Sequence, residues 1–187
     1  GLGAALAQGR EFDRGGVEGA MARVRRSSAP APVEATGATG LGLDADLDRY
    51  VARCYRAGVP RYLVERRGIV RADVLKWRIG FDLDLAAPKR ATFPCWDEHG
   101  RIVGVSRRTV VDEEPRFLDT PGAWKGEVFY GEHLIDTTLG TVVLVEGVLG
   151  TIFAARELPN VLGLLGAHVD IGAARLAKLK RWGVRTV

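Results

Sequence analysis

Two apolar runs, TVVLV at residues 141–145 and NVLGLLG at 160–166, narrow the folds open to this chain more than any other feature. A strand that is apolar at successive positions has no wet face. It must be covered on both sides, and such strands alternating with helices pack as a parallel sheet. Between the runs, Ile152, Phe153, Ala154 and Ala155 predict one helix; residues 170–182 predict a second, and 184–187 open a third strand. The C-terminal part is expected to be a parallel α/β sheet.

Upstream the period changes. ATFPCWD, EHG and RIVGVSRRTVV read as two strands around a turn, with Gly100 supplying the permissive backbone. Residues 116–118 and 128–130 are further short strand candidates flanking a polar loop at 119–127, which predicts a small antiparallel or mixed sheet. Before it, Leu47, Tyr50, Val51, Cys54 and Tyr55 follow helical spacing after an Asp-rich cap at 44–48, ending near Gly58. Pro60, with Leu63 and Val64, predicts a short helix to Arg67 closed by Gly68, and 71–77 predicts another. Earlier still, 27–42 (SSAPAPVEATGATGLG) lacks any apolar period and reads as a linker, while Val17, Met21 and Val24 within 12–26 suggest one amphipathic helix whose partner lies upstream of residue 1. The fold class expected is α/β: an α+β subdomain over 43–138 with a small mixed sheet, then a partial parallel α/β sheet over 139–187, preceded by the linker at 27–42 and the end of another domain at 1–26.

Composition excludes several classes. Cys54 and Cys95 stand far apart with no C-x-x-C pair, so no disulfide framework is expected. No apolar run approaches the roughly 18 residues that span a bilayer, so a soluble, cytoplasmic protein is expected. The net charge of +4, from 27 basic against 23 acidic residues, is too mild to prove nucleic-acid binding. Only Lys76, Lys89, Lys125, Lys178 and Lys180 of those basic residues are lysine. Arginine suits bidentate phosphate contacts, although G+C-rich codons give the same bias.

Two features carry chemistry. Glu146 and Gly147 end the run TVVLV, and open parallel sheets bind ligands just beyond their strand ends. A carboxylate there could hold Mg²⁺, which shares oxygen ligands with substrate phosphates; equally, it could cap the following helix. The second feature is GVSRRTVV with adjacent Arg107 and Arg108, then Arg116 and Lys125-Gly126. Neighbours on a strand point to opposite faces, so only one of Arg107 and Arg108 can join Arg116 and Lys125 in a basic site for phosphate or single-stranded template. The alternative is a solvated face paired with Asp112, Glu113 and Glu114.

Taken in order, YLVERRGI, WRIGFD, FPCWDEHGRIVGVSRR, PRFLDTPGAWKGEVFYG and VVLVEGVLGTIFAARELPNVLGLLGA closely resemble the polymerase core of DnaG-type primases, over roughly 61–187. That resemblance implies a toprim sheet, here cut within its domain, and a DNA primase: a nucleotidyltransferase that makes short RNA primers on single-stranded DNA for replication. By position, Arg108 falls on the arginine after Gly-x-x-x, Arg116 on a lysine before an aromatic, Asp119 on an asparagine and Lys125 on the lysine of Lys-Gly. In the family such groups line the cleft that contacts nucleotide and template. Glu146 falls on the toprim glutamate, as metal ligand or general base, with Gly147 beside it; Tyr130-Gly131 and Gly166-Ala167-His168 match as well. The implied partners are single-stranded DNA, ribonucleoside triphosphates and a replicative helicase, fused or separate. The implied cofactor is Mg²⁺ or Mn²⁺, with Zn²⁺ only in an upstream domain.

Two departures stand out. Gly150 occupies the place of an expected aspartate, and the chain ends at Val187, where the Asp-x-Asp strand would begin. A fragment with little or no primer synthesis of its own is therefore expected. The main alternative is a catalytically inactive, primase-like module that binds single-stranded DNA beside a helicase or other replication partner. A toprim nuclease or topoisomerase fits the match over 61–130 less well. Neither G-x-G-x-x-G nor G-x-x-x-x-G-K-[ST] follows a strand, which argues against other nucleotide-binding α/β folds. No Cys or His pair has zinc-ligand spacing, so His99, His133 and His168 are expected in surface or loop positions.

Overall fold

The computed structural model describes residues 47–84, 89–112, 114–166 and 171–187. The expected helix at 12–26, the linker at 27–42, Glu113 and the Ala167-His168 part of the Gly166 loop lie outside them. Three helices open the described chain: α1 (Leu47–Arg56), α2 (Arg61–Arg67) and α3 (Arg71–Trp77). The apolar spacing of α1 buries Tyr50, Val51 and Cys54. Pro60 occupies the N-cap position of α2, and Gly68 ends that helix in the left-handed region at φ 70°. The α3 start is held by Asp73, whose Oδ2 accepts from the Val70 N–H at 2.9 Å.

Strands β1 (Gly80–Asp82), β2 (Arg90–Trp96), β3 (Ile102–Thr109) and β4 (Phe117–Asp119) form one antiparallel sheet in sequence order. The sequence reading missed β1, which is only three residues long, and left open a mixed sheet where all three pairings are antiparallel. Asp97 fixes the β2–β3 turn: its Oδ1 accepts from the His99 and Arg101 N–H groups, both at 2.9 Å, and Gly100 follows at φ 75°. One face of the sheet packs Val105 against Tyr50, Val51 and Cys54 of α1. The other buries Phe93 and Cys95 in the main core with Leu63, Ile69, Trp77, Tyr130 and Ile152. Cys54 and Cys95 are both free thiols, as their separation predicts.

After the short α4 (Trp124–Glu127) and a 3-10 turn (Glu132–Leu134), β5 (Val143–Val145) pairs in parallel with β6 (Val161–Gly163), joined by α5 (Val148–Ala154). Regular pairing thus covers only part of each apolar run. Residues 184–187 do not form a full strand; they contribute one parallel bridge, Thr141 with Thr186. The candidate strand at 128–130 likewise reduces to an antiparallel bridge between Tyr130 and Gly163. Helix α6 (Ala173–Arg181) is pinned to the rest by a buried acid. The Glu132 carboxylate accepts from Lys178 Nζ at 2.6 Å, the Glu98 N–H at 3.0 Å and the Phe129 N–H at 2.8 Å. Among the described residues no helix is long and apolar enough to cross a membrane.

Candidate functional site

Strand parity sorts the two adjacent arginines. Arg107 stands opposite Leu118 and Arg108 opposite Phe117, while Ser106 stands opposite Asp119. Cross-strand partners share a face, and faces alternate along a strand. Arg107 therefore lies with Val105 on the α1 side; it is 4% exposed and its Nε donates to the Leu118 carbonyl at 3.1 Å. The Arg107 side chain is thus committed to packing on the α1 side, while Arg108 stands on the opposite face of β3.

Arg108, Arg67 and Arg116 line a hollow of about 210 Å³ with Tyr62 and the β3 exit. Two aromatic rings hold two of these guanidinium groups. Arg108 lies over Phe117 at 5.1 Å from the ring centroid, and Arg67 over Tyr62 at 5.3 Å. The Tyr62 hydroxyl accepts from Arg67 Nε at 2.6 Å and from Arg108 Nη2 at 3.5 Å. Burial pushes the Tyr62 phenol up, but these two donors and their charge outweigh it and bring its pKa below the usual tyrosine value. Arg116, exposed at the rim, pairs with Glu114 at 3.2 Å, so for this residue the ion-paired surface reading also holds. Three guanidinium groups against one carboxylate, Asp112, leave the lining of the hollow net basic, a charge balance that favours anions. Tyr62 and Arg67 were not singled out from the sequence. The available signal was their i, i+5 placement on α2, but nothing local said that α2 would lie beside Arg108.

On the same face as Arg108, two residues along the strand, Asp119 accepts a hydrogen bond from Lys125 Nζ at 2.5 Å. The preceding residue, Trp124, fixes that lysine in place. Its indole is buried against Gly104, where an added Cβ would lie 2.2 Å from ring atom Cε2, and its Nε1 donates to the Thr120 carbonyl at 3.0 Å. Asp119 is the acid that holds Lys125, and its other oxygen is buried without a hydrogen-bond partner among the described residues.

Glu146 is exposed just beyond β5, with Gly147 at the N-cap of α5. The Glu146 carbonyl accepts from the Gly166 N–H at 2.9 Å, and the Gly147 carbonyl accepts from the Thr151 N–H and hydroxyl. An added Cβ at Gly147 would meet nothing within 4 Å, so the backbone is open to approach there. Gly150 differs: an added Cβ would lie 2.8 Å from Val145 Cγ1, so β5 packs into the space a side chain would use. Among the described residues no three His, Cys, Asp or Glu side chains converge as a metal site. Among the described residues, then, Glu146 is not joined by the two further ligating side chains that would make a divalent-ion site. His99 is exposed in the β2–β3 turn, as expected. His133 is half-buried in the 3-10 turn, where it packs against Trp96 at 4.6 Å between ring centroids and edge-on to Trp77.

No protein-family model matches this chain. It is 32% identical over 108 residues to a DNA primase of Deinococcus radiodurans and 30% identical over 104 residues to a DNA primase of Clostridium acetobutylicum, covering 52% of this chain in each case. The alignments span 18% and 17% of those two proteins. Among solved structures, the fold is similar to the RNA polymerase domain of Mycobacterium tuberculosis primase DnaG in complex with a double-stranded DNA oligomer with a 6-nucleotide overhang. The TM-score is 0.62 at 18% identity, over 73% of this chain and 57% of that one. It is likewise similar to a DnaG primase catalytic domain bound to single-stranded DNA, with a TM-score of 0.57 at 17% identity, over 74% and 58% of the two chains. Sequence and fold together support a DnaG-type primase region in this chain.

Proposed function

We propose that the whole protein is a DNA primase, a DNA-directed RNA polymerase that joins ribonucleoside triphosphates into short primers on a single-stranded DNA template during replication in the cytoplasm. The observation that carries this reading is one sheet face bearing Arg108, Phe117 and the Asp119–Lys125 pair beside the Arg67–Tyr62 hollow, on a fold shared with primase domains solved with DNA. Arg108, Arg67 and Arg116 hold template or nucleotide phosphates, with the exposed Phe117 ring available for a base. Lys125 screens triphosphate charge, and Gly147 admits a phosphate to the strand end. Glu146 is the acid of the site. A divalent ion in the whole protein, Mg²⁺ or Mn²⁺, needs carboxylates besides Glu146, and any Zn²⁺ belongs to an upstream domain. Residues 1–26 end that domain, 27–42 link it, 43–138 form the N-terminal part of the core and 139–187 begin the toprim sheet. A replicative helicase is the proposed protein partner.

A second reading is favoured by Gly150, which stands where the family resemblance leads one to expect an aspartate: a module that binds single-stranded DNA without making primers. Primer synthesis with labelled ribonucleotides and Mg²⁺ or Mn²⁺, on the full-length protein and its Glu146→Gln variant, separates the two. Short RNA products lost in the variant are expected. A folded, DNA-binding protein that yields none would overturn the primase reading in favour of the module.

A further inference from the structure

Lys125 is held at both ends. Its ammonium lies on Asp119, and its main-chain carbonyl accepts from the guanidinium of Arg175 on the neighbouring helix α6, 50 residues on in sequence. Arg175 is fully buried. Its Nε donates to the Val128 carbonyl at 2.9 Å, and its Nη2 donates to Val128 at 2.7 Å, to Leu164 at 3.2 Å and to Lys125. The planar fork is what allows one side chain to reach carbonyls on two segments at once; an ammonium cannot reproduce that geometry. Burying a guanidinium is costly, and burial pulls Arg175 below the usual arginine value, so the residue is an expensive choice for packing alone.

The two segments it joins are those that carry the candidate site. Lys125 and Val128 bracket the end of α4, where carbonyls lack helical partners. Leu164 follows β6, and its N–H donates to the Val145 carbonyl at 2.8 Å, one residue before Glu146. The path from Lys125 to the Glu146 strand end is thus two hydrogen bonds through Arg175 and one between strands.

We propose that Arg175 is a positioning residue that fixes the Lys125 segment against the Glu146 end of the parallel sheet, so that Lys125 meets a ribonucleoside triphosphate in a set geometry. This rests on the reading of Lys125 as a phosphate contact. The test is a set of double-mutant cycles on the full-length protein, with binding of a fluorescent ATP analogue as the readout and a thermal melt to show that each variant is folded. Lys125→Ala and Arg175→Met each weaken binding by about tenfold. If Arg175 acts through Lys125, the double variant is no weaker than Lys125→Ala. In an Arg108→Ala background, where Arg175 grips nothing of Arg108, the two effects multiply. Arg175→Lys, which keeps the charge and most of the volume, gives the same pattern if Arg175→Met does not fold.

A double variant weaker than Lys125→Ala by the full Arg175 factor overturns the proposal and leaves Arg175 a general structural residue. So does an Arg175 variant that binds as tightly as the parent. A silent Lys125→Ala is a different failure: it removes the phosphate role of Lys125 and the positioning proposal with it.

Discussion

Replacing Gly104 with alanine tests whether the β3 face and the Lys125 segment are joined as described. The added methyl would lie 2.2, 2.3 and 2.6 Å from Trp124 atoms Cε2, Cδ2 and Nε1. Carbon atoms pack at about 3.5–4.0 Å, so the indole must retreat by more than 1 Å, roughly speaking. Retreat breaks its bond to the Thr120 carbonyl, worth about 1 kcal/mol. It also opens the packing of a side chain whose complete removal costs about 3–5 kcal/mol. Overpacking a close-packed site typically costs about 1–3 kcal/mol. The expected loss is therefore about 3 kcal/mol, or about 6–12 °C in Tm for a chain of this size. Urea unfolding followed by far-UV circular dichroism measures it. In a Trp124→Leu background, with the obstructing ring gone, the cost of Gly104→Ala falls below about 1 kcal/mol. A loss under about 1 kcal/mol in the parent, or an equal loss in both backgrounds, would refute the argument that this glycine exists to seat the indole.

Three other expectations follow from the same geometry. Asp119→Asn frees Lys125 from a half-exposed ion pair worth up to about 1 kcal/mol, so triphosphate binding tightens by about two- to fivefold at low salt; weaker binding in a titration would contradict the pairing as a competitor for phosphate. Arg156→Ala strips the buried Asp73 carboxylate of its guanidinium partner, which also donates to the Gly68 carbonyl at 2.8 Å. The expected cost is about 2–3 kcal/mol because the arginine is partly exposed, and Asp73→Asn in the same chain recovers much of it in a denaturant titration. Burial, with Lys76 nearby, lowers the His133 pKa to about 4. The unfolded chain therefore binds the extra proton between about pH 6.5 and 4 while the folded chain does not. Stability from His133 is present above the unfolded value and lost as pH falls through that window. His133→Phe flattens this part of the Tm-against-pH curve, whereas the Glu132 carboxyl, raised by burial, works in the opposite direction; an unchanged slope would remove His133 as its source.

Local chemistry made much of the fold legible in the sequence. Pro60 and Gly68 bracket α2 because the first cannot donate and the second accepts a positive φ, and Gly100 with Asp97 marks the hairpin for similar reasons. The parallel pair followed from apolar runs with no wet face. What stayed hidden depends on distant neighbours. Parity along β3 said that Arg107 and Arg108 part company, but which of them is buried was settled by α1, more than 40 residues upstream in sequence, roughly speaking. The Asp119–Lys125 pair needed the α4 turn, and the Arg67–Tyr62 wall of the hollow needed α2 to settle beside Arg108. Edge segments also fell short of their patterns. Residues 184–187 and 128–130 have strand composition, but among the described residues each makes a single isolated bridge.

The rings beneath Arg67 and Arg108 bear on how the groove would respond to temperature and salt. A guanidinium laid on a ring keeps its in-plane N–H edge available while its flat face is covered, so its swing is restricted before any anion arrives. Immobilising a free arginine on binding costs about 0.5–1.5 kcal/mol per side chain, and here part of that ordering is already built into the unliganded surface. Lysine in either position would keep the charge and the salt sensitivity but swing freely again. The arginine bias of this chain, neutral as composition, thus becomes at these two positions a matter of entropy: an anion arriving there would meet a surface with less left to freeze.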